Sequence, residues 1–406
     1  MKLDGFFRGL FPPLSQQTRV ILDRLPGLID KTFPLPARFR SALPRNVAEL
    51  SRLLTSGRAE RGASYLGRPA LLSAYLRYYL PWNIYRLCRL FSTLPLELKP
   101  GDAINDLGAG PLTLAASLWI SRPELRNIPL EFRCVDRTTV VLEAGKKFFA
   151  ALTLEAGCPW IIKTIRAELR INGTLSTEIR GKPAALSAAL NVYNELFWNF
   201  SPMDTEGLRR FARSQARQLS SLTENPGFIL LVEPGIPRSG EFVSLLRTSL
   251  IEEGRFPISP CTHHGACPMP GGKTRAAIKA RWCHFAFDTE DAPKELHKLS
   301  ADSNIPKDRA VLSFILAGNK TQEKQGQSKV KMRVISDCFR IEGNLPADRT
   351  PGKASWGRYG CSGRGLVLVK GNKRSLEALP SGALEEVSLD KNVKDKKSGA
   401  LIGVCQ

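Results

Sequence analysis

The spacing of apolar residues changes along the chain, and each change marks a different kind of structure. Through residues 1–100 they recur at helical intervals, as in Leu71, Leu72, Tyr75, Leu76, Tyr79 and Leu80, with breaks at Pro12-Pro13, Pro34, Pro44, Pro69 and Pro81. Such spacing lays one stripe of a helix on a core, and proline ends helices, so a helical, basic N-terminal region is predicted. From Asp102 to about Gly254, short apolar runs alternate with helical stretches, the pattern of a parallel sheet with crossover helices. The strands expected there are Asp102 to Leu107, Leu130 to Asp136, Ala184 to Asn191 and Phe228 to Glu233. Past Gly254 the chain is rich in Cys, His, Pro and Gly as far as Pro270, then returns to strand-like runs at Trp282 to Phe287 and Ala310 to Ala317. Gly318 to Lys331 reads as a polar surface loop, Leu366 to Val369 as the clearest strand of a β-rich segment, and Gly371 to Lys397 as a polar, flexible tail. The expected organisation is residues 1–100, 101–255, 256–370 and 371–406: helical region, α/β domain, cysteine-bearing module with the final sheet strands, and tail.

At 406 residues, 43% hydrophobic, the chain can bury a substantial core, and its length suits two units plus tails. No window approaches the roughly 18 consecutive apolar residues that a membrane-spanning helix needs. The start, MKLDGFFRGLFPPL, lacks the apolar segment of a secretory signal, and Asp4, Asp23 and Asp30 interrupt what a mitochondrial leader keeps free of acids. A monomer in a bacterial cytoplasm, without membrane contact, is expected. Charge adds a partner: 59 Lys and Arg against 38 Asp and Glu leave a net +21, which attracts polyanions by releasing their counterions.

Chemistry first appears where the strand ending in Asp106 runs into Gly108-Ala109-Gly110 and then an apolar helix from Leu112 to Ile120. Glycine lets a backbone approach a ligand closely, and the next helix offers free N–H groups, so this turn predicts a nucleotide-type pocket. The dinucleotide pattern G-x-G-x-x-G does not fit, because its third position is Thr113. Asp106-x-Gly108-x-Gly110 resembles instead the first motif of class I methyltransferases. That resemblance implies S-adenosylmethionine, with Asp106, Gly108 and Gly110 around its methionine part. Asp136, which ends the next strand, matches the acid that receives the ribose hydroxyls. After the fourth strand, Asn191 to Leu196 contains neither the Asn-Pro-Pro-Tyr type of amine acceptor motif nor a cysteine nucleophile. Asn194 and Glu195 are the residues there that would orient an acceptor or cap a helix. No catalytic residue is assigned.

Nine cysteines in a core-rich chain are expected as free thiols. Cys261 and Cys267 sit on a Pro- and Gly-rich loop that can turn both sulfurs inward, and Cys283 opens a strand that can return beside them. The fourth member of a tetrathiolate set is Cys361 or Cys338. Such a set favours zinc or an iron-sulfur cluster, and the absence of C-x-x-C pairs turns the reading toward the cluster. His263, His264 and His284 are read as hydrogen-bonding neighbours rather than ligands.

Taken together, Asp106-x-Gly108-x-Gly110, Val232-Glu233-Pro234-Gly235, Ser259-Pro260-Cys261 with Cys267-Pro268, and Trp282-Cys283-His284-Phe285 resemble the methyltransferase-like assembly factors of the mitochondrial small ribosomal subunit and their bacterial relatives. The similarity runs from Tyr75-Leu76-Arg77-Tyr78-Tyr79 to Leu366-Val367-Leu368-Val369. It implies an α/β fold, a class I methyltransferase Rossmann-like sheet with a helical N-terminal region and a Cys-bearing, β-rich C-terminal module. It also implies S-adenosylmethionine at Asp106, Gly108, Gly110 and Asp136, and a [4Fe-4S] cluster on Cys261, Cys267, Cys283 and Cys361. The partner implied is small-subunit rRNA, met during assembly or translation. RNA methyl transfer is one outcome and non-catalytic binding the other, with Arg349, Arg358, Arg364 and Lys370 as phosphate contacts in the second. A zinc-containing small-molecule methyltransferase is the third reading.

Overall fold

The segments around Asp106 and Ala188 do not alternate between apolar and polar residues because their strands are buried at every position, on both faces of a sheet. A computed structural model of the protein describes residues 9–57, 65–169, 183–199, 201, 204–271, 281–319, 329–341 and 356–405. Its first sheet contains β1 (Ala103–Leu107), β2 (Glu131–Asp136), β3 (Ile161–Arg166), β4 (Ala184–Leu190), β5 (Thr223–Pro234), β6 (Phe256–Ser259), β7 (Phe285–Asp288) and β8 (Arg309–Gly318). Their spatial order is β3-β2-β1-β4-β5-β8-β6, with β7 also pairing with β8. Strands β1 to β5 run parallel, β8 is antiparallel to β5, and β6 and β7 are antiparallel to β8. This is the mixed Rossmann-like sheet of class I methyltransferases, and its order reverses between β1 and β4, where open α/β sheets bind ligands.

Alternate residues of each strand feed separate cores. Ile104, Phe132, Leu186, Leu230 and Val232 pack with the helices Leu80–Phe91, Thr113–Ser121 and Thr139–Thr153. Leu107, Val135, Ala189, Ile229 and Leu231 pack with Thr205–Ser221 and Pro237–Glu252. The N-terminal region is helical as expected: Gln16–Thr32, Leu43–Leu54, and Pro69–Ala74 running through a π turn into Leu80–Phe91. Among the described residues, no helix is long and apolar enough to cross a membrane.

The second sheet closes on itself. Its strands are β9 (Lys329–Val334), β10 (Phe339–Arg340), β11 (Trp356–Ser362), β12 (Gly365–Gly371), β13 (Leu384–Lys394) and β14 (Leu401–Cys405). β9, β11, β12, β14 and β13 pair in a ring that returns to β9, while β10 flanks β11. β12 and β14 are parallel, and a short helix, Lys373–Glu377, lies between β12 and β13. In chain order the third strand of the ring pairs with the fifth, and the helix separates the third from the fourth, which is the arrangement of an OB-type barrel. Val330, Met332, Val334, Val367, Val369 and Val387 fill it.

Two expectations are corrected here. The stretch read as a flexible tail supplies β13 and β14, and Val387 of β13, at 0% exposure, is buried in the barrel's interior. The polar run read as a loop to Lys331 gives way to β9 at Lys329; residues 320–328 lie outside the described residues.

Candidate functional site

At the carboxyl ends of β1, β2 and β4 lies a cleft of about 160 Å³ whose walls include Gly108, Gly110 and Asp136. The loop after β1 is held by the next strand: the N–H groups of Gly108 and Ala109 both donate to the Val135 carbonyl at 2.8 Å. Gly108 has φ +73, and a Cβ on it would stand 2.3 Å from Val192 Cγ2, so only glycine lets the loop pass the β4 end this closely. Gly110 has φ +54 with no atom within 4 Å of a Cβ position, so its backbone faces open cleft.

The two carboxylates differ. Asp136 Oδ2 accepts from the Gly110 N–H at 3.0 Å and Oδ1 from the Thr138 N–H at 2.9 Å, which fixes the carboxylate at the rim. Asp106 is 1% exposed and its Oδ2 has no hydrogen-bond partner. Burial first, and the nearby Asp136 charge second, push its pKa up to about 8. An unpartnered buried carboxylate is unstable as an anion until a cation or donor meets it.

The far wall comes from the turn after β4. The Glu233 carboxylate, at the end of β5, accepts from the backbone N–H groups of Val192 (3.1 Å), Tyr193 (2.8 Å) and Asn194 (3.1 Å). Burial outweighs those three donors and raises Glu233 to about 8. The helix start at Tyr193 is therefore capped from a neighbouring strand, not by Asn194 or Glu195. Asn194 is buried, whereas Glu195 lines the cleft, near Tyr65 Oη at 3.5 Å and Arg137 at 3.7 Å. Tyr65 and Tyr75 bring the N-terminal region into the cleft wall, and Arg86 donates to Asn191 Oδ1 at 3.0 Å. These contributions escaped the sequence reading, since they join segments about 100 residues apart; the tyrosine-rich run at Tyr75 was the one visible trace.

A separate cavity, between the first sheet and the barrel, is lined by Cys261, Cys267, Cys283 and Cys361. Cys261 and Cys267 follow β6, Cys283 precedes β7, and Cys361 lies on β11. Cys338 is elsewhere, packed against the barrel's interior cluster. Arg247 donates from Nε to Cys261 Sγ at 3.3 Å and from a second nitrogen to the His263 carbonyl at 2.7 Å. His263 Nε2 lies 3.5 Å from Cys361 Sγ, and Arg333 lines the same cavity. Burial pushes the Cys283 and Cys361 thiols well above their ordinary value, and the other sulfurs of the set push further. Among the described residues, no three His, Cys, Asp or Glu side chains form a site for a single metal ion.

Of the expected phosphate contacts, Arg358 is 5% exposed and donates to the carbonyls of Ser336 and Leu376, so it holds the barrel together. Arg364 is exposed and Lys370 half-buried, while Arg349 lies outside the described residues.

Comparison with known proteins adds a family. Residues 210–344 match the family described as mitochondrial small ribosomal subunit Rsm22. No curated protein matches the chain. Among solved structures, a putative class I S-adenosylmethionine-dependent methyltransferase from Listeria monocytogenes is 9% identical, covers 77% of this chain and 89% of its own, and has a TM-score of 0.31. A geranyl diphosphate C-methyltransferase from Streptomyces coelicolor is 10% identical over 58% of this chain and 83% of its own, with a TM-score of 0.32. A methyltransferase from Pyrococcus furiosus is 11% identical over 43% and 74%, with a TM-score of 0.29.

Proposed function

Because residues 210–344 ally this chain with the Rsm22 family, and its sheet is that of a methyltransferase, we propose that it binds S-adenosylmethionine and small-subunit rRNA and acts in ribosome assembly or translation. The observation that carries the cofactor reading is the cleft at the carboxyl ends of β1, β2 and β4, walled by Gly108, Gly110 and Asp136; Asp106, whose buried Oδ2 has no partner, stands near the end of the strand that leads into it but does not line it. Asp136, held by two N–H groups, is oriented to receive ribose hydroxyls, and the Gly108 and Gly110 backbones admit the ligand to the loop. Bound there, S-adenosylmethionine supplies an electrophilic methyl group; the protein's own residues bind and orient it. The net charge of +21 supports the RNA partner.

On the same reading, Cys261, Cys267, Cys283 and Cys361 hold a [4Fe-4S] cluster. Four thiols on one cavity, with two arginines to offset their negative charge, support that donor set.

A second reading, a non-catalytic factor, is favoured by Asn194, which is buried and does not line the cleft, so its amide is not placed to orient an acceptor there. Calorimetry on protein purified without air tests the first claim: saturable cofactor binding is expected, lost in Asp136→Ala, and its absence from the wild type refutes the cofactor reading. Transfer of labelled methyl to RNA of immature small subunits then separates enzyme from binder.

A further inference from the structure

Next to the cysteine cavity lies a second, larger cleft of about 450 Å³, bounded by the segment leading into β7 and by the outer face of β11 and β12. That segment is extended, so its side chains alternate. Trp282, His284 and Ala286 line this cleft, whereas Cys283 and Phe285 line the cysteine cavity. Trp282 and His284 stack with ring centroids 4.9 Å apart and planes 20° apart, and the indole N–H donates to the Gly235 carbonyl at 2.9 Å. The result is a fixed aromatic ledge. Across the cleft is Tyr359, itself stacked on Phe339 at 5.0 Å. Polar groups stand around the aromatic floor: Arg281, which anchors one nitrogen on the Ser398 carbonyl at 2.8 Å, and Arg309, paired with Asp337 through two 2.8 Å bonds.

The barrel's topology points independently to the same cleft. The second and third strands of an OB-type barrel present the face on which such barrels bind oligonucleotides. In this chain those strands are β11 and β12, and Tyr359 and Leu366 from their outer face line the cleft. Flat aromatic surfaces beside guanidinium groups suit a base and its phosphate, because every base has a face to stack and arginine meets the backbone charge.

We propose that this cleft is a stacking pocket for a nucleobase of single-stranded RNA, clamped between the Trp282–His284 ledge and Tyr359, with Arg281 on the adjoining phosphate. The pocket rests on the RNA reading above and deepens it by saying where a base is held. It is distinct from the cofactor cleft, with which it shares no residue.

The test uses the full chain and a short single-stranded oligoribonucleotide carrying one 2-aminopurine, whose fluorescence is quenched on stacking. Binding is followed by anisotropy and stacking by quenching. Quenching is expected for the wild type and for Trp282→Phe, which keeps an aromatic ledge. His284→Ala and Tyr359→Leu, on opposite walls, are each expected to lose the quenching and to weaken binding roughly fivefold to a hundredfold, the range for one stacked base. If the oligonucleotide still binds and is quenched equally in both variants, the pocket is overturned and the RNA reading survives. Adenosine monophosphate binding as tightly as the oligonucleotide overturns the assignment to a strand. Flat anisotropy for the wild type at low salt overturns the RNA reading, and the pocket with it.

Discussion

Replacing Asp106 by asparagine is expected to stabilise the cofactor-free protein while abolishing cofactor binding. The side chain is 1% exposed, one oxygen has no partner, and its pKa is raised from 3.8 to about 8. A carboxyl group whose folded pKa is raised contributes stability that is fully present below its unfolded pKa, near 4, and is lost as pH rises to about 8. At pH 7 the folded protein holds a proton that the unfolded chain has released, at a cost of about 1.4 kcal/mol for each of roughly three units, or about 4 kcal/mol. Asparagine has the same shape and no charge, but its amide brings an N–H donor into the site, which costs about 1–3 kcal/mol if unsatisfied. The net gain of about 1–3 kcal/mol corresponds to a rise in Tm of about 2–10 °C for a domain of this size. Scanning calorimetry at pH 6, 7 and 8 reads it directly. The gap between variant and wild type must widen by about 1.4 kcal/mol from pH 6 to 7 and by about 1 kcal/mol from pH 7 to 8, where Asp106 begins to ionise, since the amide does not titrate. Glu233, also raised to about 8 by burial, slopes in both proteins and cancels in the difference. Adding S-adenosylmethionine is expected to raise the Tm of the wild type alone. A gap that stays constant from pH 6 to 8 refutes the reasoning, because Asp106 is then ionised throughout.

The two glycines of the same loop are expected to separate folding from binding. Gly108→Ala forces a Cβ to 2.3 Å from Val192 and is expected to lower both Tm and cofactor affinity, by melts and calorimetry respectively. Gly110→Ala meets no atom within 4 Å, so it is expected to lose only about 1 kcal/mol of stability to backbone strain, yet still to bind cofactor poorly. For the cysteine set, Cys361→Ser is expected to reduce the iron content and visible absorption of protein purified without air, whereas Cys338→Ser leaves both intact. Equal loss in the two variants counts against the cavity as the cluster's seat.

Sequence reading works best where a strand is buried on both sides. β1 and β4 are buried at every position, and β5 and β8 carry long buried runs at Ile229–Glu233 and Leu312–Gly318, so their apolar stretches were visible; the glycine loop and Asp136 follow from where β1 and β2 end. β3 escaped because it is an edge strand, IIKTIR, with three exposed residues, so little burial shapes its sequence. The barrel escaped for a related reason. β9 gives three residues and β12 two to a narrow interior, while β13 gives Val387 with Leu389 partly buried beside it, so that β13, reading Leu-Glu-Glu-Val-Ser-Leu, is close to a polar tail by composition. Arg358 looked like a phosphate contact among other basic residues, and only the fold shows the carbonyls that enclose it. Placing Cys361, not Cys338, beside the other three cysteines requires the register of β11, in which Cys361 stands opposite Leu366 on the outer face.

That register ties the chain's chemistry to its architecture. Three of the cavity's cysteines leave the first sheet on the loop between β6 and β7, and the fourth reaches in from the barrel. Tyr359 and Cys361 share one face of β11, and Cys283 is flanked by Trp282 and His284, so both walls of the base cleft are neighbours in sequence of the thiols behind it. A group held jointly by Cys283 and Cys361 therefore fixes the distance between the aromatic ledge and Tyr359. It fixes nothing in the cofactor cleft, whose walls come from β1, β2, β4 and the N-terminal region. On this reasoning the proposed cluster would serve RNA recognition rather than methyl transfer, so Cys361→Ser is expected to weaken oligonucleotide binding while leaving S-adenosylmethionine binding intact.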